Sequence, residues 1–118
     1  MSKKNRKVGL IKLTKTMLDK CIIDANKTVV DFALQLGIDY ANMECGEKHS
    51  VDAVIDISFF LKDIHKDTVI NFYRVNNSRG DKRISIKDIK HYASVGNLLR
   101  IEIKRGKVIV GVYDESTI

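Results

Sequence analysis

The sequence predicts a small α+β domain in which short, mainly antiparallel strands close on a shared interior with a short helix at either end. Three observations carry that expectation. Apolar and polar residues alternate over 51–59, 83–86, 99–103 and 108–112, the period-two signature of half-buried strands. One stretch, 27–36, has instead a broad apolar face bracketed by helix-ending residues. The 118 residues contain no proline, no low-complexity stretch and no internal repeat, a length that supports a single core.

Residues 1–7 form a basic leader expected to lie outside the packed domain, which spans 8–114 and is followed by a tail at 115–118. Residues 8–13 (VGLIKL) read as a first strand. The next stretch, TKTMLDKCIID, is ambiguous, because Leu18, Ile22 and Ile23 fit either helical spacing or a short extended piece. Asn26 then caps a helix over KTVVDFALQL, whose Val29, Val30, Phe32, Ala33, Leu34 and Leu36 make its apolar face. Gly37 stands where a left-handed residue ends a helix. Met43, Cys45 and Gly46 follow in a loop.

Within 51–59, Val51, Ala53, Ile55, Ile57 and Phe59 share one side of a strand; Asp52, Asp56 and Ser58 take the other, with Val54 the single apolar exception. LKDIHKDT, 61–68, reads as a long connection to a second strand at 69–75, the two making a hairpin. A short strand at 83–86 turns Ile84 and Ile86 inward. Ser85 with Asp88 resembles a capping box opening a helix of about two turns that ends near Tyr92 or Ala93. Gly96-Asn97 stops it. Leu99, Ile101 and Ile103 then alternate with Arg100, Glu102 and Lys104, KRGK reverses the chain, and Val108, Val110 and Val112 supply the last inward row. Read this way the chain has six strands, which need a common interior.

The formal net charge is +6, and its distribution says more than its size. Residues 1–20 hold seven Lys/Arg and one Asp; 21–73 hold four against nine acids; 74–107 hold ten against three. Such segregation favours one basic face and one acidic or neutral one, the footprint of a polyanion binder. The acids lie mostly in and before the 51–75 hairpin, away from the basic loop that follows it. No apolar run approaches the roughly 18 residues of a membrane span, and MSKKNRK precedes no signal-peptide core, so a cytoplasmic location without a membrane partner is expected. Cys21 and Cys45, with no CxxC and no His at metal spacing, suit reduced, buried thiols.

The chain is organised around residues 71–103, where two basic arms flank a loop rich in hydrogen-bonding side chains. Arg74, Asn76, Asn77, Ser78, Arg79, Lys82 and Arg83 are the residue types that meet phosphates and base edges. Arg79-Gly80-Asp81 reads as a turn for which Gly80 supplies the dihedral freedom. Tyr73 and Tyr92 flank the loop.

This element order, with the FYR…RGDKRISI…VGN-LLRIEI run, resembles the DNA-binding pseudobarrel superfamily, which includes plant transcription-factor domains of auxin-response type and effector domains of certain type II restriction endonucleases. The resemblance implies an open β-barrel (pseudobarrel) of seven strands, against the six read from the residues, with two short helices. It implies two arms gripping the major groove. The first, after the opening strand, falls on Lys12, Thr14, Lys15 and Thr16; the second is the loop just named.

Catalytic patterns are sparse. Glu102-Ile-Lys104 is half of a nuclease signature for which Asp56 or Asp88 would have to supply the missing carboxylate, and an alternating charged strand yields the same spelling. His49, His65 and His91 share no ligand spacing. The expectation is therefore a non-enzymatic, sequence-preferring double-stranded DNA-binding domain, restriction-related or regulating transcription in a phage or bacterium, with no catalytic residue, metal or cofactor. The alternatives are a protein-interaction module, as in a phage or bacterial regulator or inhibitor, docking an acidic partner; an RNA binder; and a small metal-dependent nuclease.

Overall fold

The computed structural model describes residues 7–59 and 62–114. Seven strands form one mixed sheet: β1 (Gly9–Lys12), β2 (Ile23–Asp24), β3 (Lys48–Phe59), β4 (Lys62–Arg74), β5 (Lys82–Ile86), β6 (Leu98–Lys104) and β7 (Lys107–Tyr113). Their order across the sheet is β1-β6-β7-β3-β4-β5-β2. Five of the six pairings are antiparallel, and β3 with β7 is parallel. Two helices, α1 (Lys15–Lys20) and α2 (Lys27–Gln35), lie between β1 and β3 in the chain, separated by the short strand β2.

The period-two residues do what their alternation dictates. Ile55, Ile70, Phe72, Ile84, Leu99, Ile101 and Val110 are fully buried, each at 0 % exposure, and form one core with Ile11 and Ile23 of the edge strands. Asn26 Oδ1 accepts from Val29 N at 3.1 Å, capping α2, and Val29, Phe32 and Ala33 press its apolar face against β1 and β6. Gly37, at φ +81°, ends the helix where a left-handed residue was expected.

Since β1 and β2 are the two edges of the sheet, the bonds between them show how far it curls. Asn26 Nδ2, two residues past β2, donates to the Leu10 carbonyl at 2.8 Å, and Thr28 Oγ1 accepts from Leu10 N at 2.8 Å. These side chains close a seam that strand pairing leaves open, giving a half-barrel with α2 over one end.

Four expectations need correction. The segment 61–68 is not a long connection: β4 begins at Lys62, and Phe59 pairs with Lys62, so only Phe60 and Leu61, outside the described residues, join the strands. Ser85 and Asp88 do not open a two-turn helix. Ser85 belongs to β5, Asp88 adopts φ +64° without a side-chain cap, and a single 3₁₀ turn, Ile89–His91, follows. The strands number seven because 14–24 resolves into α1, capped by Thr14, and the two-residue β2. Cys21 and Cys45 are free but exposed, one at the left-handed end of α1 and one in the turn before β3. No helix among the described residues is long and apolar enough to cross a membrane.

Candidate nucleic-acid interface

The β4–β5 loop is built from within. Asn77 Oδ1 accepts from Arg79 N at 3.0 Å and from Gly80 N at 2.7 Å, folding residues 77–80 into a tight turn. Val75 N reaches the Asp81 carbonyl at 2.9 Å and closes its neck. Gly80 takes φ +58°, and a Cβ there would lie 2.5 Å from Arg74 Nη2 and 2.9 Å from Cys45 Sγ. Arg74 itself turns inward. Its Nε donates to the Gly80 carbonyl and its Nη1 to the Met43 carbonyl, both at 2.9 Å, so this guanidinium pins the loop to the turn before β3.

What faces outward is a smaller set. Asn76, Ser78, Arg79 and Lys82 are exposed, and Lys82 makes no ion pair among the described residues. Arg79 Nη2 lies 3.1 Å from Asp81 Oδ2, and Arg83 Nη2 lies 3.3 Å from the same oxygen. Arg83 also approaches Asp24 at 3.6 Å through a buried Nε that has no hydrogen-bond partner among the described residues. A polar cleft of about 510 Å³ runs between these groups, lined by Asp24, Arg74, Arg79, Asp81, Lys82 and Arg83. Asp24 corrects the expectation that the mid-chain acids lie away from the basic loop, because the β2–β5 register sets it opposite Arg83.

The first arm divides as well. Lys12 projects outward from the end of β1. Thr14 Oγ1 caps α1 by accepting from Met17 N at 3.3 Å. Lys15 pairs with Asp19 one turn on, and that hydrogen bond raises its pKa from 10.5. Thr16 is exposed on the same turn.

Two sets of contacts place the arms relative to each other. Ala25 N donates to the Lys82 carbonyl at 3.0 Å while its neighbour Asn26 holds Leu10, so β1 and the start of β5 face each other across the seam. Through these links the Leu10 and Lys82 backbones are no more than about 15 Å apart. At the other end of β5, Met17 and Leu18 of α1 share a small hollow with Ile23, Ile86 and Ile89. Helix α1 thus packs near the end of β5 that is farther from the β4–β5 loop.

The Tyr pair divides. Tyr73 stands on the outer face of β4 opposite Arg83, whereas Tyr92 packs against the core. The sequence reading missed Tyr40, which is fully buried and donates from Oη to the Arg83 carbonyl at 2.7 Å, supporting β5 from beneath. Its lone aromatic signal within a polar stretch carried no pattern that could have revealed this.

Elsewhere, Asp56, Glu102 and Lys104 line one cleft of about 140 Å³, but Glu102 is held by Arg100 at 3.2 Å and Lys104 at 3.9 Å. Among the described residues no group of three or more His, Cys, Asp and Glu is placed to hold a metal ion. A hollow of about 800 Å³ lies between Leu36, β3, β4, Lys87 and the β6–β7 turn. Compared with family models, curated proteins and solved structures, the chain matches none. Fold and site together define a curled, seven-stranded α+β domain with a cation-rich flank.

Proposed function

We propose that this domain binds double-stranded DNA, without catalysis, by its β1–α1 and β4–β5 arms, and that its half-barrel is a DNA-binding pseudobarrel. The observation that supports the reading is the cation-rich β4–β5 loop itself, with Arg79 and Lys82 exposed on a turn held rigid from within and α1 packed near the far end of β5. Lys12, Lys15, Lys82 and Arg83 fix register on phosphates. Arg79 and Asn76, exposed on a loop held rigid by Asn77 and Arg74, reach base edges, Arg favouring guanine and Asn adenine. Arg74 serves as the anchor of that loop.

The test is a titration of labelled duplexes of varied sequence. Lys82→Ala should weaken all of them alike, whereas Arg79→Ala should weaken the preferred one most and flatten the preference. Equal behaviour of the two variants would contradict the division of roles. A stoichiometric complex with an acidic protein, or competition won by structured RNA over duplex DNA, would replace the reading with one of its alternatives.

A further inference from the structure

Strand β5 runs from the β4–β5 loop toward α1, and its outer side repeats in step with a nucleic-acid backbone. Ile84 and Ile86 point into the core, so Arg83 and Ser85 face outward. Lys87 continues the row: its N donates to the Val69 carbonyl at 3.1 Å and its carbonyl accepts from Thr68 Oγ1 at 2.7 Å, extending the ladder one residue past the strand. Three alternate residues therefore project from one face at intervals of about 6.6 Å. That interval is close to the separation of successive phosphates along one strand.

The middle member is oriented by a cross-strand relay. Ser50 Oγ donates to Asn71 Oδ1 at 2.6 Å, and Asn71 Nδ2 donates to Ser85 Oγ at 3.0 Å. With its oxygen occupied as acceptor, the Ser85 hydroxyl keeps its own proton for a group in front of the sheet. An anion is the matching group, for residues 74–91 carry six Lys/Arg and two Asp.

We infer that the outer side of β5 is a track for the sugar–phosphate backbone of one DNA strand, with Arg83, Ser85 and Lys87 meeting successive phosphates. Asn71 acts as a positioning residue that aims the Ser85 proton. This rests on the double-stranded DNA reading above and names the path the DNA takes.

The experiment measures duplex affinity as a function of salt for the full chain and for Lys87→Ala, Lys87→Arg, Ser85→Ala and Lys82→Ala. Lys87→Ala should make the slope of log K against log salt shallower by about 0.9, the share of one phosphate, and Lys87→Arg should restore it. Ser85→Ala, which removes a neutral donor, should weaken binding several-fold with the slope unchanged. If Lys82→Ala weakens binding while Lys87→Ala and Ser85→Ala match the parent in affinity and slope, the track is overturned and the two-arm reading stands. If the parent chain binds no duplex, both fall. Lys87 is exposed, so its variants keep the test valid should Ser85→Ala disturb folding.

Discussion

The side-chain amide of Asn26 donates a 2.8 Å hydrogen bond to the Leu10 carbonyl, tying the chain just past one edge strand to the middle of the other. The oxygen of the same amide caps α2 through Val29 N. One side chain therefore starts the core helix and ties the chain just past β2 to β1.

Asn26→Ala should cost about 2 kcal/mol, about half from the lost cap and half from the seam bond. Asn26→Ser keeps a capping hydroxyl but is too short to reach Leu10, and should lose about half as much. Urea midpoints at unchanged slope would measure both. Equal loss in the two variants would show that the seam bond contributes nothing.

Tyr40 predicts an alkaline limit to stability. Burial, with a smaller contribution from Tyr73, raises its phenol above the ordinary value of 10.0. A raised folded-state value means that the protonated phenol's contribution is complete below pH 10.0 and is lost as pH climbs toward the folded value. Tyr40→Phe should cost about 1 kcal/mol at neutral pH by removing the Oη bond to the Arg83 carbonyl, which keeps its place in the β4–β5 ladder, and should flatten the decline above that point. Urea midpoints measured from neutral to alkaline pH decide this, and an unchanged decline in the variant would assign the loss to another group.

Gly80 and Gly37 separate backbone strain from crowding. Both have positive φ, but a Cβ on Gly37 meets nothing within 4 Å, whereas one on Gly80 would collide with Arg74 and Cys45. Gly37→Ala should cost only the left-handed backbone, about 1 kcal/mol, and Gly80→Ala about 1–3 kcal/mol with a loss of duplex affinity as the Arg74 anchor is displaced. Thermal melts and duplex titrations of the two variants test the difference; equal costs would mean that Arg74 does not hold the loop.

Asp81 holds Arg79 and Arg83 together with one carboxylate oxygen and stands where an incoming phosphate would compete. Arg79 is exposed but Asp81 and Arg83 are half-buried, so Asp81→Asn should cost about 1 kcal/mol of stability while tightening duplex binding several-fold. Weaker binding by the variant would instead mean that Asp81 orders the guanidiniums for their target.

Much of this fold was legible because burial imposes a period. Where a face is covered, as at Ala53, Ile55 and Ile57, or Leu99 and Ile101, the alternation located the strand. The first half of β4 was misread for the same reason. β5 pairs with β4 only from Ile70 onward, and Asp63, His65, Lys66 and Asp67 are exposed, so nothing forced that part of the strand to alternate. Ser85 and Asp88 matched a local capping pattern that the pairing of Ile84 with Phe72 overrode, leaving the Ser85 hydroxyl to Asn71. The candidate loop could be located from its Asn, Gly and Arg content. Which of its arginines turns inward depended on the Met43 and Gly80 carbonyls, and Asp24 reached Arg83 through a two-residue strand too short to announce itself. The parallel pairing of β3 with β7 likewise has no local signature.

The measurement that bears most directly on the central claim is the affinity of the chain for duplex DNA between about 50 and 200 mM salt. Four phosphates neutralised by Lys12, Lys15, Lys82 and Arg83 predict a slope near −3.6, and Lys87 as a fifth brings it to about −4.5. Affinity should then fall roughly 150- to 500-fold across that range. An affinity that does not change with salt, or no binding to duplex at the low-salt end, would contradict a flank built to meet phosphates.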